Sequence, residues 1–165
     1  MILVFPGSFD PITQGHADLI RRALPLADRL YVALLHNPRK NYMFTLEQRT
    51  ALIRACFPGE DKIVVESHQG LLIDYVRRKG ADAVIRGLRS FQDFGYEYDM
   101  AQANRNLGGC ETLFLPARGE YSHLSSSTLR EVLSFGGDIS GMIPEEGLAL
   151  IRSWQTEKTA SGEER

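Results

Sequence analysis

The chain has 165 residues, 43% hydrophobic and 24% charged, with 19 Lys and Arg against 21 Asp and Glu for a formal net charge of −2. That composition is ordinary for one globular domain and excludes a disordered chain, a collagen-like repeat and a disulfide scaffold. The near-neutral balance gives no bulk electrostatic case for nucleic acid or an anionic membrane.

In chain order, Ile2-Leu3-Val4-Phe5 is a short all-apolar run ended by Pro6-Gly7, the pattern of a strand buried on both faces. Residues 16–24 place Leu19, Ile20, Ala23 and Leu24 at helical spacing. A second apolar run, 30–35, ends at His36-Asn37-Pro38. Thr45-Leu46-Glu47-Gln48 is a capping box that opens a helix through about Cys56, with Pro58-Gly59 beyond it. Strands follow at 63–65, 83–85 and 112–115. Helices are expected at 71–79 (closed by Gly80), 94–107, 127–135 (ending at Gly136-Gly137) and 144–154, where Pro144 suits a first turn. Residues 156–165 are polar and aperiodic and read as a disordered tail. A single domain is expected over residues 1–155.

Strands alternating with helices predict an α/β, Rossmann-like open sheet of about five parallel strands, with helices on both faces and C-terminal helices. Ligands of such sheets bind at the carboxyl ends of the strands. The loops expected there are chemically loaded: Gly7-Ser8-Phe9-Asp10, then His36 to Lys40, Arg86-Gly87-Leu88-Arg89, and Arg118 to Ser127. Neither GxGxxG nor GxxxxGK[ST] is present, so the dinucleotide and P-loop fingerprints are missing.

Gly15-His16 opens a helix whose unpaired N–H groups favour an anion. His16 either donates to a phosphate oxygen or caps its own helix, and spacing alone leaves both open. Arg86 and Arg89, flanking Gly87, suit a bidentate grip on phosphate, whereas Arg39 suits a solvated surface. Arg77-Arg78-Lys79 complement a helix C-terminus. Leu124 to Thr128 stacks hydroxyls and backbone donors at another helix start, a second anion cradle. Cys56, spaced with Leu52 and Ile53, reads as a small core side chain. No nucleophilic Ser-His-Asp or Cys-His pattern and no clustered metal ligands stand out. The expected chemistry is therefore positioning and charge stabilisation around a ligand with several phosphates.

At this point the residues resemble a known family. Gly7-Ser8-Phe9-Asp10-Pro11-Ile12-Thr13-Gln14-Gly15-His16 is similar to the nucleotidyltransferase form of the HxGH signature, and Leu124-Ser125-Ser126-Ser127-Thr128, with Arg130 following, to the superfamily's ISSSxxR-like signature. Lys40 to Arg49 (K-N-Y-M-F-T-L-E-Q-R), Ile85 to Arg89, and Asp93-Phe94-Gly95-Tyr96-Glu97 with Asn104 resemble the phosphopantetheine adenylyltransferases. The resemblance runs from about Ile2 to Trp154. It implies transfer of the adenylyl group of ATP to 4′-phosphopantetheine, giving 3′-dephospho-coenzyme A and pyrophosphate, with Mg²⁺ carried by the nucleotide and no metal ligands on the protein.

By the same resemblance His16 and Lys40 are catalytic, and Ser8, Lys40, Leu72 and Arg86 hold the acceptor. ATP would contact Ser8, Phe9, His16, Gly87, Leu88, Arg89, Glu97, Tyr121, Ser122, His123, Leu124, Ser125, Ser126 and Ser127. The resemblance further implies a homohexamer and feedback inhibition by coenzyme A; no signal peptide or membrane span is visible, so a cytoplasmic location is expected. Ser8 stands where many members carry Thr, and Tyr121 where some carry Trp. The alternatives are a sibling enzyme such as a nicotinamide-mononucleotide adenylyltransferase or a cytidylyltransferase, and a catalytically silent nucleotide-binding module.

Overall fold

A computed structural model describes residues 1–160. Five parallel strands form one sheet: β1 (Ile2–Gly7), β2 (Arg29–Leu35), β3 (Ile63–His68), β4 (Ala83–Leu88) and β5 (Glu111–Pro116), in spatial order β3-β2-β1-β4-β5. The helices are α1 (Gln14–Ala23), α2 (Leu46–Ala55), α3 (Leu72–Lys79), α4 (Phe91–Gly108), α5 (Ser126–Ser134) and α6 (Glu145–Ala160), with single 3₁₀ turns at Leu24–Leu26 and Gly119–Tyr121.

Strand side chains alternate between two cores. Leu3 and Phe5 of β1, Leu30, Val32 and Leu34 of β2, and Ile85 of β4 pack with Ile20 of α1, Leu52 and Ile53 of α2, Leu129 of α5 and Ile151 of α6. Val4, Ala33 and Val84 face the other way, against Ile73, Tyr75 and Val76 of α3. Two buried faces explain why these strands are unbroken apolar runs. Cys56 is a buried free thiol in the first of these cores, its pKa pushed up to about 12 by burial, as its helical spacing predicted.

The elements come in the predicted order, and their ends differ. β3, β4 and β5 each run further than the apolar patterns indicated, because the backbone ladder continues after the side chains turn polar: Glu66 pairs with Ala33, and Arg86 with Phe114. α4 begins at Phe91, capped by Ser90 accepting from Asp93 N–H, and α5 at Ser126, capped by Ser125. α6 continues to Ala160, past the expected end at Trp154; of the expected tail, residues 161–165 lie outside the described residues.

One irregularity places the site. β1 pairs with β2 over six positions and β4 with β5 over six, but β1 pairs with β4 at only two, Leu3 with Ala83 and Val4 with Val84. Pro6 has no N–H to extend that ladder, and its carbonyl accepts from Arg86 Nη1 at 3.0 Å. The strands on either side of the strand-order reversal therefore part before their carboxyl ends, at the crevice where such sheets bind ligands.

On the α3 face, α4 packs so closely that a Cβ on Gly108 would lie 1.8 Å from Ile73 Cγ1. Ile73 is β-branched and buried, so it has little freedom to yield. Gly108→Ala is expected to destabilise the fold by about 1–3 kcal/mol, read from the midpoint of urea unfolding; an unchanged midpoint would show that α4 is not docked there.

Candidate active site

Two clefts open along the parted strands. One, of about 280 Å³, is lined by His16, Leu19, Gly87, Arg89, Tyr121, Leu124, Ser125 and Ser126 among others. The second, of about 750 Å³, is lined by His36, Lys40, Tyr42, Leu72, Tyr96, Met100 and Asn104 among others. They meet at Gly7, Ser8, Arg86 and Glu97, which line both.

The β1–α1 loop is the shared wall. Phe9 has φ +46°, and its buried ring lies under Gly7, where an added Cβ would come within 2.9 Å of it. The Phe9 ring therefore requires glycine at position 7. The edge of the same ring meets His16, centroids 5.2 Å apart.

Of the two readings of His16, the helix cap is the one the structure shows. It closes a capping box with Thr13: His16 N–H donates to Thr13 Oγ1 at 3.3 Å, and Thr13 N–H donates to His16 Nδ1 at 3.1 Å. Because Nδ1 accepts, the neutral ring carries its proton on Nε2. Burial, then the nearby charges of Arg89 and Arg86, lower its pKa to about 4. The cap thus fixes the tautomer of a neutral hydrogen-bond donor. Part of the helix start is thereby occupied: the cap takes His16 N–H, and Gln14 N–H donates separately to Met142 O at 2.9 Å.

The cations of the cleft are held by carboxylates. Arg86 forks onto Glu97 through Nε and Nη2, both at 2.6 Å, and Arg89 onto Asp93 at 2.9 and 3.3 Å. Glu97, expected to meet the nucleotide, here has both oxygens engaged by Arg86. Asp93 is held below the usual carboxylate range, first by Arg89.

At the start of α5, Ser125 accepts from Thr128 N–H, Ser126 Oγ donates to the Pro11 carbonyl at 2.8 Å, and Ser127 Oγ accepts from Arg130. The serine run thus builds the joint between α5 and the β1–α1 loop as well as a cleft wall. Of the residues expected around ATP, Ser8, His16, Gly87, Arg89, Glu97, Tyr121, Leu124, Ser125 and Ser126 line the smaller cleft. Phe9, Leu88, Ser122, His123 and Ser127 are outside its lining. All four expected acceptor residues, Ser8, Lys40, Leu72 and Arg86, line the larger one.

Two buried residues escaped the sequence reading as supports of the site. Asp10, 2% exposed, accepts from the N–H groups of Met43 and Phe44 (3.0 and 2.9 Å), and its carbonyl accepts from Arg130 at 2.7 Å. Arg49, 1% exposed, donates to the Ser8 carbonyl at 2.8 Å. A signal for Arg49 was present: it lies on the stripe of Leu52, Ile53 and Cys56 at i, i+3, i+4 and i+7, a charge on a buried face. Asp10 had no such periodicity, because it sits in a loop.

A family model described as cytidylyltransferase-like matches residues 4–132. The chain is 50% identical over 143 residues to the phosphopantetheine adenylyltransferase of Alkaliphilus metalliredigens, covering 86% of this chain and 91% of that protein. It is 45% identical over 152 residues to that of Thermotoga neapolitana, covering 91% and 94%. Among solved structures, a bifunctional NMN adenylyltransferase/ADP ribose pyrophosphatase from Francisella tularensis superposes with a TM-score of 0.67 at 16% identity, over 92% of this chain and 48% of that one. The chain spans about half of that bifunctional protein, and the likeness is one of fold.

The His16 geometry makes a prediction without any ligand. Its folded pKa lies below the ordinary 6.5, so at pH 5–8 the ring stays neutral, with the proton on Nε2. Ring ¹⁵N NMR is expected to show that tautomer at pH 7 and a titration midpoint near 4. A midpoint near 6.5, or a proton on Nδ1, would refute the capped arrangement.

Proposed function

The chain belongs to the cytidylyltransferase-like family and, within it, to the phosphopantetheine adenylyltransferases, and from that premise we propose how its two clefts divide the reaction. The enzyme transfers the adenylyl group of ATP to 4′-phosphopantetheine in coenzyme A biosynthesis, releasing pyrophosphate. The observation that supports the division is the shared edge at Gly7, Ser8, Arg86 and Glu97. ATP takes the smaller cleft and phosphopantetheine the larger, so that the acceptor phosphate and the α-phosphorus meet where the clefts join.

An acceptor phosphate oxygen then attacks the α-phosphorus as its bond to the β-phosphate oxygen breaks. The attacking dianion has no proton to lose, so the site needs no general base and works by alignment and charge. Neutral His16 donates its Nε2–H to an α-phosphoryl oxygen as negative charge gathers there. Arg89 and the start of α5 face the β- and γ-phosphates, and Lys40 and Arg86 hold the acceptor phosphate. Ser8 sits between the two, and Leu72 lies along the pantetheine arm.

Mg²⁺ would arrive bound to the triphosphate, whose charge it neutralises. Both carboxylates lining the nucleotide cleft, Asp93 and Glu97, are engaged by Arg89 and Arg86, a donor set that suits a metal held by phosphates. Coenzyme A, with the same pantetheine arm, would compete for the larger cleft as a feedback inhibitor.

A homohexamer has support in α4. None of its 18 residues is buried, and Phe91, Tyr96, Tyr98 and Met100 are exposed beside the edge strand β5. Apolar surface of that extent is ordinarily covered, and copies of the chain would cover it here. Tyr96 and Met100 also line the acceptor cleft, so assembly would steady its wall. Among the described residues no helix is long and apolar enough to cross a membrane, and we place the enzyme in the cytoplasm, where its nucleotide substrate is made.

Pyrophosphate release from Mg-ATP should depend on 4′-phosphopantetheine and yield dephospho-coenzyme A. Release with nicotinamide mononucleotide instead would move the chain to a sibling activity, and ATP binding without turnover on either acceptor would identify a silent module. His16→Ala is expected to lower kcat by a factor of about 10² to 10³ with ATP affinity little changed, as for loss of one transition-state donor. Near-normal turnover would remove His16 from the mechanism. Sedimentation equilibrium should give a six-chain mass; a monomer at micromolar concentration would overturn the assembly.

A further inference from the structure

Lys40 stands on an exposed turn in the loop between β2 and α2. The Asn37 carbonyl accepts from Lys40 N–H at 3.0 Å, and the Asn37 side-chain oxygen accepts from Arg39 N–H at 2.9 Å. Residues 37–41 are all exposed, so packing cannot hold this turn, and its direction must come from whatever grips its ends.

Tyr42 does the gripping. Its hydroxyl accepts from Asn37 N–H at 2.9 Å, and its ring is stacked against His36, centroids 5.4 Å apart at 26°. The Arg49 guanidinium also lies over the Tyr42 ring, 4.0 Å from its centroid. Arg49 is buried and pairs with no carboxylate among the described residues; it donates to the Ser8 carbonyl, and its Nε has no partner. A guanidinium is costly to bury in that state, and the tyrosine face and the Ser8 carbonyl are what compensate it. An unbroken physical chain therefore runs from the Lys40 turn through Tyr42 and Arg49 to Ser8, joining two loops that must grip the reacting phosphates in one register.

We propose that Tyr42 is a positioning residue for the acceptor: it aims the Lys40 turn into the acceptor cleft and, through Arg49, sets that turn against the Ser8 loop. This rests on the reading of Lys40 as a ligand of the acceptor phosphate. Tyr42 forms no bond in the reaction; its effect reaches the acceptor through Lys40.

Steady-state kinetics with Mg-ATP and 4′-phosphopantetheine on the full chain test this. Tyr42→Leu is expected to raise the acceptor KM about tenfold and leave the ATP KM within about twofold. Tyr42→Phe, which keeps the ring and loses the hydroxyl, should raise the acceptor KM about threefold. Because Tyr42 acts through Lys40, adding either change to Lys40→Ala should cost nothing beyond Lys40→Ala alone. If Tyr42→Leu does not fold, Tyr42→Phe with and without Lys40→Ala decides the matter. The proposal falls if the Tyr42 penalty persists at full size in the Lys40→Ala background, or if the ATP KM rises as much as the acceptor KM. An unchanged acceptor KM in the Tyr42 variants, while Lys40→Ala raises it, overturns the positioning role and keeps the Lys40 reading. A silent Lys40→Ala would remove both.

Discussion

The early parting of β1 from β4 is the constraint on which the rest depends. A parallel ladder propagates only while each strand supplies donors and acceptors in step, and Pro6 withholds one donor at the centre of the sheet. The gap is crossed by a side chain, with Arg86 reaching the Pro6 carbonyl. Arg86 is in turn oriented by both oxygens of Glu97 from α4. Strand splitting, the Arg86 bridge and the meeting of two clefts are one feature seen at three scales.

The cations around this crevice are held by carboxylates in two different settings. Arg86 and Arg89 are each forked onto a carboxylate and are partly exposed. The Arg89–Asp93 pair is the more exposed and the more screened by solvent, whereas Glu97 is largely shielded from solvent and holds Arg86 through two short bonds. In both pairs the carboxylate keeps the guanidinium in one orientation. His16 follows a different logic. Its Thr13 cap settles which nitrogen bears the proton, so the donor is set by the protein alone.

Much of the site was legible because loops that bear chemistry follow strands, and parallel topology gathers strand ends on one edge. From that rule alone Ser8, Lys40, Arg86, Arg89 and Ser125 were expected on one rim, and they line the two clefts. Less legible were the residues that hold others in place. Asp93 and Glu97 read as part of a motif without revealing that each engages a particular arginine. Ser126 and Ser127 read as an anion cradle, yet the Ser126 hydroxyl joins α5 to the β1–α1 loop and the Ser127 hydroxyl accepts from Arg130 within the same helix. The Ser126 bond to Pro11 joins residues 115 apart, which no local periodicity encodes, and even the short-range pairs, Arg89 with Asp93 and Ser127 with Arg130, take their partners from the folded geometry of the helix starts.

By itself, the sequence determined the order and type of the elements, the two-faced core and the identity of the polar loops, since these follow from hydrophobic spacing, caps and glycine or proline punctuation. It also carried the family signature. Tertiary structure alone decided where β1 leaves β4, why His16 stays neutral, and that Asp10 and Arg49 are buried struts beneath the site. The physical reason is range. Propensity and patterning act over a few residues, whereas the burial of a charge, or the lowered pKa of His16 beside Arg89 and Arg86, depends on neighbours that arrive from 30 or more positions away, as Phe44 does at Asp10 and Arg49 at Ser8.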